Sequence, residues 1–464
     1  MDIKRYDPKT GLVVSGDGSV APAGFDRSRL EFSAKMDLVA VGLAVLALAV
    51  IVVLTISYQL IFLTYSIVTI FIFLSYLMLW LDGAWRDDSP PPPKKWPDVT
   101  LIIPSFNSGH TIFDTVAACK RLKYPGKVSI TVVDDGSTDG SCERLKKVEG
   151  ILLMRKEKNE GKAAALNWGI SRTATPIIGC VDSDTYPQED ALLKAIPYFD
   201  GPKVGSVVLF ICVHQPKNWV QRMQEVEYWI SFGFFFKTVA SIGGLYVTPG
   251  PMALYSREMF ENLGHFDEQN LTEDLEIALR MQRHGWSIKA CHTSIAFTEV
   301  PATLGRLFRQ RVRWFRGGIM NMLKYSDMLL NPKYGSFGLF VLPITLGSGF
   351  FSALFIFWTL LNYLRAAWDW ALPWLYNPIA AGIPGITQPV HMGLYMYDST
   401  LLFGMVGFLV WAYFVHKSFE MAKETPKLKH VVPVGLMLWF YPLFIGLTFL
   451  ASYVMEFSGR KYKW

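Results

Sequence analysis

The hydrophobic pattern divides the chain into three stretches of different character. No charged residue occurs from Leu38 to Leu81, and about 20 apolar residues are enough to cross a bilayer core. That run predicts two membrane helices reversing near Tyr58 and Gln59. Behind it, Ser89-Pro90-Pro91-Pro92-Pro93-Lys94-Lys95 cannot be helical and reads as a short stiff linker. From Asp98 to about Ala302, β-branched runs alternate with helical patterns. Val99 to Ile103, Val128 to Val133 and Ile177 to Val181 read as buried parallel strands, with helices expected at 109–122, 138–148, 161–173 and 188–199. Such alternation predicts a doubly wound, Rossmann-like α/β sheet whose ligands sit at the carboxyl ends of the strands. Past residue 335 long apolar segments return near 339–364, 396–416 and 431–455.

This pattern gives an expected organisation: an amino-terminal segment (1–37), two membrane helices (38–82), a Pro-rich linker (83–97) and an α/β domain (98–302). An amphipathic interface region (303–335) and a region of about three membrane helices (336–464) follow, with an outer-face loop near 366–395. Two leading spans put the α/β domain on the same side as the amino terminus. The Lys-rich loop from Lys417 to Lys429 then faces the cytosol, as the positive-inside rule requires. The basic tail Arg460-Lys461-Tyr462-Lys463 falls on the other side, against that rule, so the last apolar segment is read either as a span or as re-entrant.

Composition sharpens this picture in three ways. Hydrophobic residues make up 51% of 464 residues, more than a soluble enzyme of this size needs. The first 37 residues carry charges of both signs and lack the basic, short-apolar, small-residue pattern of a removed signal peptide. A net charge of only +6, without a Lys/Arg-dense stripe, fits a membrane surface and argues against nucleic acid. The five cysteines show neither a C-x-x-C pair nor zinc-like spacing with histidine and read as reduced core residues.

Candidate chemistry falls where the strands end. Pro104-Ser105-Phe106-Asn107 closes the first strand and Asp134-Asp135-Gly136-Ser137 the second. A carboxylate there can accept hydrogen bonds from a nucleobase or ribose while Gly136 turns the backbone sharply beside the ligand, although Asp-Asp-Gly-Ser is also an ordinary turn. The third strand ends in Asp182-Ser183-Asp184. Carboxylates one residue apart can share a hard divalent cation that neutralises a departing diphosphate, or they can be a solvated turn. Gly161-Lys162 opens a helix whose amino terminus and lysine attract phosphate. Thr272 is the expected amino-terminal cap of a helix over 272–284. A carboxylate in its first turn, Glu273 or Asp274, can serve as a general base or simply complement the helix dipole.

The most specific signal is Gln310-Arg311-Val312-Arg313-Trp314. On a helix from about Thr303 to Leu323, Leu304, Phe308, Val312, Phe315, Ile319 and Met322 form one apolar stripe. Gln310, Arg313 and Trp314 fall away from its centre. The spacing predicts a helix lying at the membrane interface, with Arg309 and Arg316 near headgroups and the opposite face turned towards a reaction site.

In this order, Asp-Asp-Gly, Asp-x-Asp, Thr-Glu-Asp and Gln-x-x-Arg-Trp resemble the motif series of membrane-integrated family 2 glycosyltransferases. The context from Glu299-Val300-Pro301 to Gly317-Gly318 looks most like bacterial poly-N-acetylglucosamine synthases, and more loosely like hyaluronan, chitin and cellulose synthases. The resemblance implies a cytosolic GT-A domain inserted between transmembrane helices of the cell membrane, and a UDP-sugar donor. Pro104, Ser105, Asn107, Asp134, Asp135, Lys162, Asp182 and Ser183 would then bind the nucleotide-sugar. Asp184, with Asp182, would hold Mg2+ or Mn2+. Asp274, beside Glu273, would be the base of an inverting displacement. Gln310, Arg313 and Trp314 would bind the diphosphate and the acceptor sugar, and Gly250-Pro251-Met252 would line the acceptor entrance. Polymer-forming members also build a channel for the growing chain; the gating-loop motif of cellulose synthases has no match here.

Two other readings remain. Lipid-glycosylating members carry similar motifs and transfer one sugar to a glycolipid or a polyprenyl phosphate. A transporter or receptor with a nucleotide-sensing domain would need no base at Asp274 and would place ionisable residues inside the spans, where Asp398 is nearly the sole example.

Overall fold

A computed structural model describes residues 5–7, 12–14, 58–86, 89–376 and 399–458. The first expected span, Asp398 and the basic tail therefore lie outside the described residues. Strands β1 (Arg5–Asp7) and β2 (Leu12–Val14) pair antiparallel, and helix α1 (Tyr58–Leu79) follows. The proline run adopts no helix or strand, as four consecutive residues without a backbone donor dictate.

The central domain opens with three strand–helix units: β3 (Val99–Ser105) and α2 (Ile112–Lys120), β4 (Val128–Asp134) and α3 (Ser141–Leu145), then β5 (Leu152–Arg155) and α4 (Lys162–Ile170). Next come β6 (Ile177–Val181), β7 (Thr185–Pro187), α5 (Ala191–Ala195) and β8 (Val204–Val213). Helices α6 (Trp219–Tyr228) and α7 (Phe236–Ser241) precede β9 (Met252–Ser256), α8 (Arg257–Leu263), α9 (Glu273–Arg283) and β10 (Ser287–Thr298). The eight strands from β3 to β10 order as β5-β4-β3-β6-β9-β8-β10-β7.

The three strands named from the sequence run parallel, as expected, within a sheet that is mixed overall. The first four strands are parallel, but β9 runs antiparallel to both β6 and β8, and β7 runs antiparallel to β10. All three strands named from sequence are present. Strand β8 went unread because its continuous apolar run VGSVVLFICV, buried along its whole length, has no period to separate a strand from a buried helix. Strand β10 was obscured by a register shift between Cys291 and Ile295, which breaks its alternation. The order reverses direction between β3 and β6, and a crevice forms at such a switch point, outside the strand ends.

Helix α10 (Leu304–Lys324) leads to α11 (Leu342–Tyr376), α12 (Ser399–Met421) and α13 (Leu428–Phe457). Three helical segments among the described residues are long and apolar enough to cross a membrane: Leu63–Ala84, Phe337–Arg365 and Leu428–Glu456. Helix α11 continues to Tyr376, into the stretch expected as an outer loop. Helix α10 is helical as expected but does not simply float at an interface. Leu307, Arg311, Val312, Arg316, Gly317, Asn321 and Met322 are buried, and Phe315 stacks on Phe449 of α13 at 3.7 Å. Arg316 is buried and pairs with Glu456 of α13 at 2.9 Å. Arg309 stays exposed.

Candidate active site

One cavity of about 1280 Å³ opens at the switch point and extends from the strand ends to α10, α11 and α13. Pro104, Ser105, Asp135, Lys162, Asp182, Ser183 and Asp184 line it from the sheet. Gly250, Pro251, Glu273 and Asp274 line it from the middle, and Gln310, Arg313 and Trp314 from α10. Three residues singled out in the sequence lie elsewhere. Asn107 braces its loop, donating its N–H to Ser137 Oγ at 2.9 Å and accepting from Thr138 N at 2.8 Å. Asp134 is fully buried, 3.5 Å from Arg155. Met252 belongs to the core of β9, with no exposure.

Backbone geometry presets the nucleotide side. The Asp135 carboxylate accepts from Gly161 N at 2.7 Å and Glu160 N at 3.2 Å and pairs with Lys156 at 3.2 Å. Gly136, at φ 77°, takes a left-handed turn in which a Cβ would meet the backbone of Lys158 and Asn159, so only glycine fits comfortably.

Lys162, at the first turn of α4, reaches Asp182 at 2.5 Å and Glu273 at 3.5 Å. Burial alone would lower its pKa, but Asp182, Glu273 and Asp274 outweigh burial and raise it, so the ammonium stays charged. Gly250 lies where these groups converge: a Cβ there would meet Lys162 Nζ at 2.8 Å, Asp182 Oδ2 at 3.4 Å and Asp274 Oδ2 at 3.5 Å.

The carboxylates nevertheless exceed the cations. Burial, followed by the charge of Asp182, pushes Asp184 up to about 7. Burial, followed by the charge of Glu273, pushes Asp274 up to about 6, with Lys162 and Arg313 pulling against it. Asp274 is held by Leu275 N at 2.8 Å and Gly250 N at 3.2 Å. Thr272 stands at the cap position of α9, but its side chain makes no capping hydrogen bond, a departure from expectation explained by its other partners below.

Helix α10 supplies the far wall. Arg311, almost fully buried, bonds Glu227 at 2.7 Å, Gln310 Oε1 at 2.8 Å and Tyr441 at 3.3 Å, and its guanidinium lies 4.0 Å from the Trp314 ring centre. The Gln310 and Trp314 side chains are thus oriented from behind. Sequence reading missed Glu227 and Tyr228 of α6, Glu299 after β10, and Phe449 and Tyr453 of α13, all of which line the cavity. Glu299 had a signal, since it follows a strand end. Glu227 and the α13 aromatics had none, because only tertiary packing brings them here.

The model of the family described as "Glycosyl transferase family 2" matches residues 100–264, the segment that holds the strand-end motifs. That segment is therefore similar to family 2 glycosyltransferase domains. The mixed sheet and its switch-point cavity are the GT-A arrangement that the motif order implied. The chain is 29% identical over 248 residues to poly-beta-1,6-N-acetyl-D-glucosamine synthase of Staphylococcus aureus (strain COL), covering 53% of this chain and 60% of the relative. It is 29% identical over 224 residues to the Staphylococcus epidermidis protein of the same name, covering 47% and 54%. The chain thus spans about 60% of the length of the curated relatives it matches. Among solved structures, a mannosyltransferase from Pyrobaculum calidifontis in complex with GDP-Man and Mn2+ aligns with a TM-score of 0.49 and 19% identity, over 81% of this chain and 99% of that one.

Proposed function

We propose that this glycosyltransferase catalyses inverting, metal-dependent transfer of a sugar from a UDP-sugar to a saccharide hydroxyl at the membrane, building a β-linked polysaccharide that is exported. The observation that carries the reading is the single cavity. It brings the Asp182/Asp184 pair, Lys162, Asp274 and the Gln310–Trp314 face together and reaches the membrane helices. Its volume of about 1280 Å³ exceeds the roughly 300–1,000 Å³ of an ordinary small-ligand pocket, which leaves room for donor and acceptor together. The names of the staphylococcal relatives favour an N-acetylglucosamine donor, and the reading places the α/β domain in the cytosol, where nucleotide-sugars are made.

The residues fit a divalent cation. Among the described residues no group of three or more His, Cys, Asp or Glu is arranged to hold a metal. A Mg2+-type ion needs only one or two carboxylates when substrate phosphates and water complete its shell. Asp184 and the Oδ2 of Asp182 would hold it, the Oδ1 of Asp182 being engaged by Lys162. When bound, the ion would neutralise charge on the departing diphosphate. Lys162, on the same side, would bind the diphosphate, and Asp135 would orient the uridine. Asp274 would accept the proton of the acceptor hydroxyl, its raised pKa keeping it basic enough for that role. Trp314 would present the acceptor sugar on its ring face.

A second reading, single transfer to a lipid acceptor, is favoured by the apolar lining from Leu346 and Phe449. Full-length protein in nanodiscs, given UDP-N-acetylglucosamine, UDP-glucose or UDP-glucuronate with Mg2+ or Mn2+, separates the two. A long saccharide that is lost in Asp274→Asn supports the polymer reading. One sugar on a lipid moves the protein to the lipid-glycosylating members, and nucleotide binding without turnover refutes both.

A further inference from the structure

Helix α10 contacts the segment leading into the candidate base through a side chain that no motif includes. Arg313, Gly317 and Asn321, four residues apart, lie on one stripe of α10 against the segment 270–272 that leads into α9. Arg313 Nη1 donates to Leu271 O at 3.4 Å. Asn321, with no solvent exposure, donates from Nδ2 to Thr272 Oγ1 at 3.0 Å and to Asn270 Oδ1 at 3.1 Å, and its Oδ1 accepts from Asn270 Nδ2 at 2.7 Å. Asn270 Oδ1 also accepts from Thr272 N at 3.1 Å. Gly317 makes the approach possible, since a Cβ there would overlap the Thr272 side chain. The Thr272 hydroxyl faces Asn321 and makes no capping bond to α9. A threonine at a cap position ordinarily bonds its own helix; here that bond gives way to one between helices.

We propose that Asn321, acting through Thr272 across the gap that Gly317 leaves, is a positioning residue that fixes Asp274 relative to the acceptor face of α10. Gln310 and Trp314 sit on the same rigid helix as Asn321, and Asp274 lies two residues beyond Thr272. This contact lies nearer to Asp274 along the chain than the Arg313–Leu271 bond and on the cavity side of the Lys324–Glu276 pair. It therefore helps set the distance between the group that would take the proton and the groups that would hold the hydroxyl. The nucleotide-binding side chains Asp135, Lys162 and Asp182 belong to other elements and make none of these bonds. This inference rests on reading Asp274 as the base.

The test uses the full-length protein in nanodiscs with the donor that turns over. Asn321→Ala removes the bond, and Gly317→Ala pushes on Thr272 from the opposite sense. Each is expected to lower kcat about tenfold or more, as small misplacements of catalytic groups do, while donor KM and UDP affinity stay within about twofold. Because both residues act through one contact, Asn321→Ala combined with Thr272→Val should be no worse than the poorer single variant. Unchanged kcat, a parallel loss of UDP affinity, or additive effects in the cycle would overturn the proposal. If Asp274→Asn retains transfer, the base reading fails; if Asp274→Asn is inactive and Asn321→Ala is normal, only the positioning role fails.

Discussion

Two carboxylates in the first turn of α9, Asp274 and Glu276, lead opposite electrostatic lives. Glu276 is fully buried, yet Arg280 and Lys324 outweigh burial and hold it down at about 2. It pairs with Arg280 and accepts from Tyr325 OH at 2.6 Å and Lys324 Nζ at 3.0 Å. Lys324 in turn reaches Asp267 at 3.1 Å, and Arg280 donates to the carbonyls of Leu263 and His265. Asp274, two residues earlier, faces the cavity among other carboxylates and is raised to about 6. The first cluster is complete in the free protein and serves the fold. The second carries negative charge that the protein's own cations do not cancel, as expected where a cationic or proton-donating ligand completes the site.

The largest expected effect is on the incomplete side. Asp274→Asn should lower sugar transfer by about 10²–10⁴-fold and leave UDP affinity within about twofold, as read by product formation and calorimetry. Loss of nucleotide binding instead would place Asp274 with the donor and break the contrast. On the complete side, Glu276→Gln leaves Arg280 and Lys324 buried with a neutral partner, which should destabilise the fold by about 3–5 kcal/mol. A thermal melt of the detergent-solubilised protein would read this as a large fall in Tm.

Next in size is Asp184→Asn, expected to raise the half-saturating Mg2+ or Mn2+ concentration at least about tenfold, the scale on which metal-site partners act. An unchanged metal requirement would show that the cation, if used, sits elsewhere. The pH response follows from the two pKa directions. Raised Asp274 is a usable base only above about 6, so kcat/KM should fall about tenfold per pH unit below that point. Its protonation also favours the folded state, a contribution that is full below the ordinary carboxylate range and lost as pH rises through 6. Depressed Glu276 does the reverse, its contribution being full above the ordinary range and lost only as pH falls towards 2. Acid should therefore silence the enzyme well before it unfolds this cluster. The smallest effect is expected for exposed Arg309→Ala, with activity unchanged within about twofold.

These contrasts show which parts were legible in the chain and why. Asp135, Asp182 and Asp184 could be placed at the cavity because parallel strands deliver residues to the crevice immediately after a readable apolar run. Gln310, Arg313 and Trp314 could be found because three polar or aromatic side chains gather off the centre of one apolar stripe. Asn321 was invisible: a single asparagine late in a helix carries no spacing, and its meaning depends on Thr272 arriving from elsewhere. Arg316 was only partly legible for a related reason. Its partner Glu456 lies at the far end of the chain, and without that partner an arginine beside an apolar stripe resembles an interfacial anchor.

The cavity wall shared with α13 has a practical corollary. Phe449 and Tyr453 border the same space as Asp274, and Arg316–Glu456 and Phe315–Phe449 join α10 to that helix. A soluble fragment ending after the Gln310–Trp314 motif would retain every signature of the family and still be a vessel with one side missing. Reconstitution of the whole chain in lipid, rather than trimming it for convenience, is thus the condition for measuring what the site does.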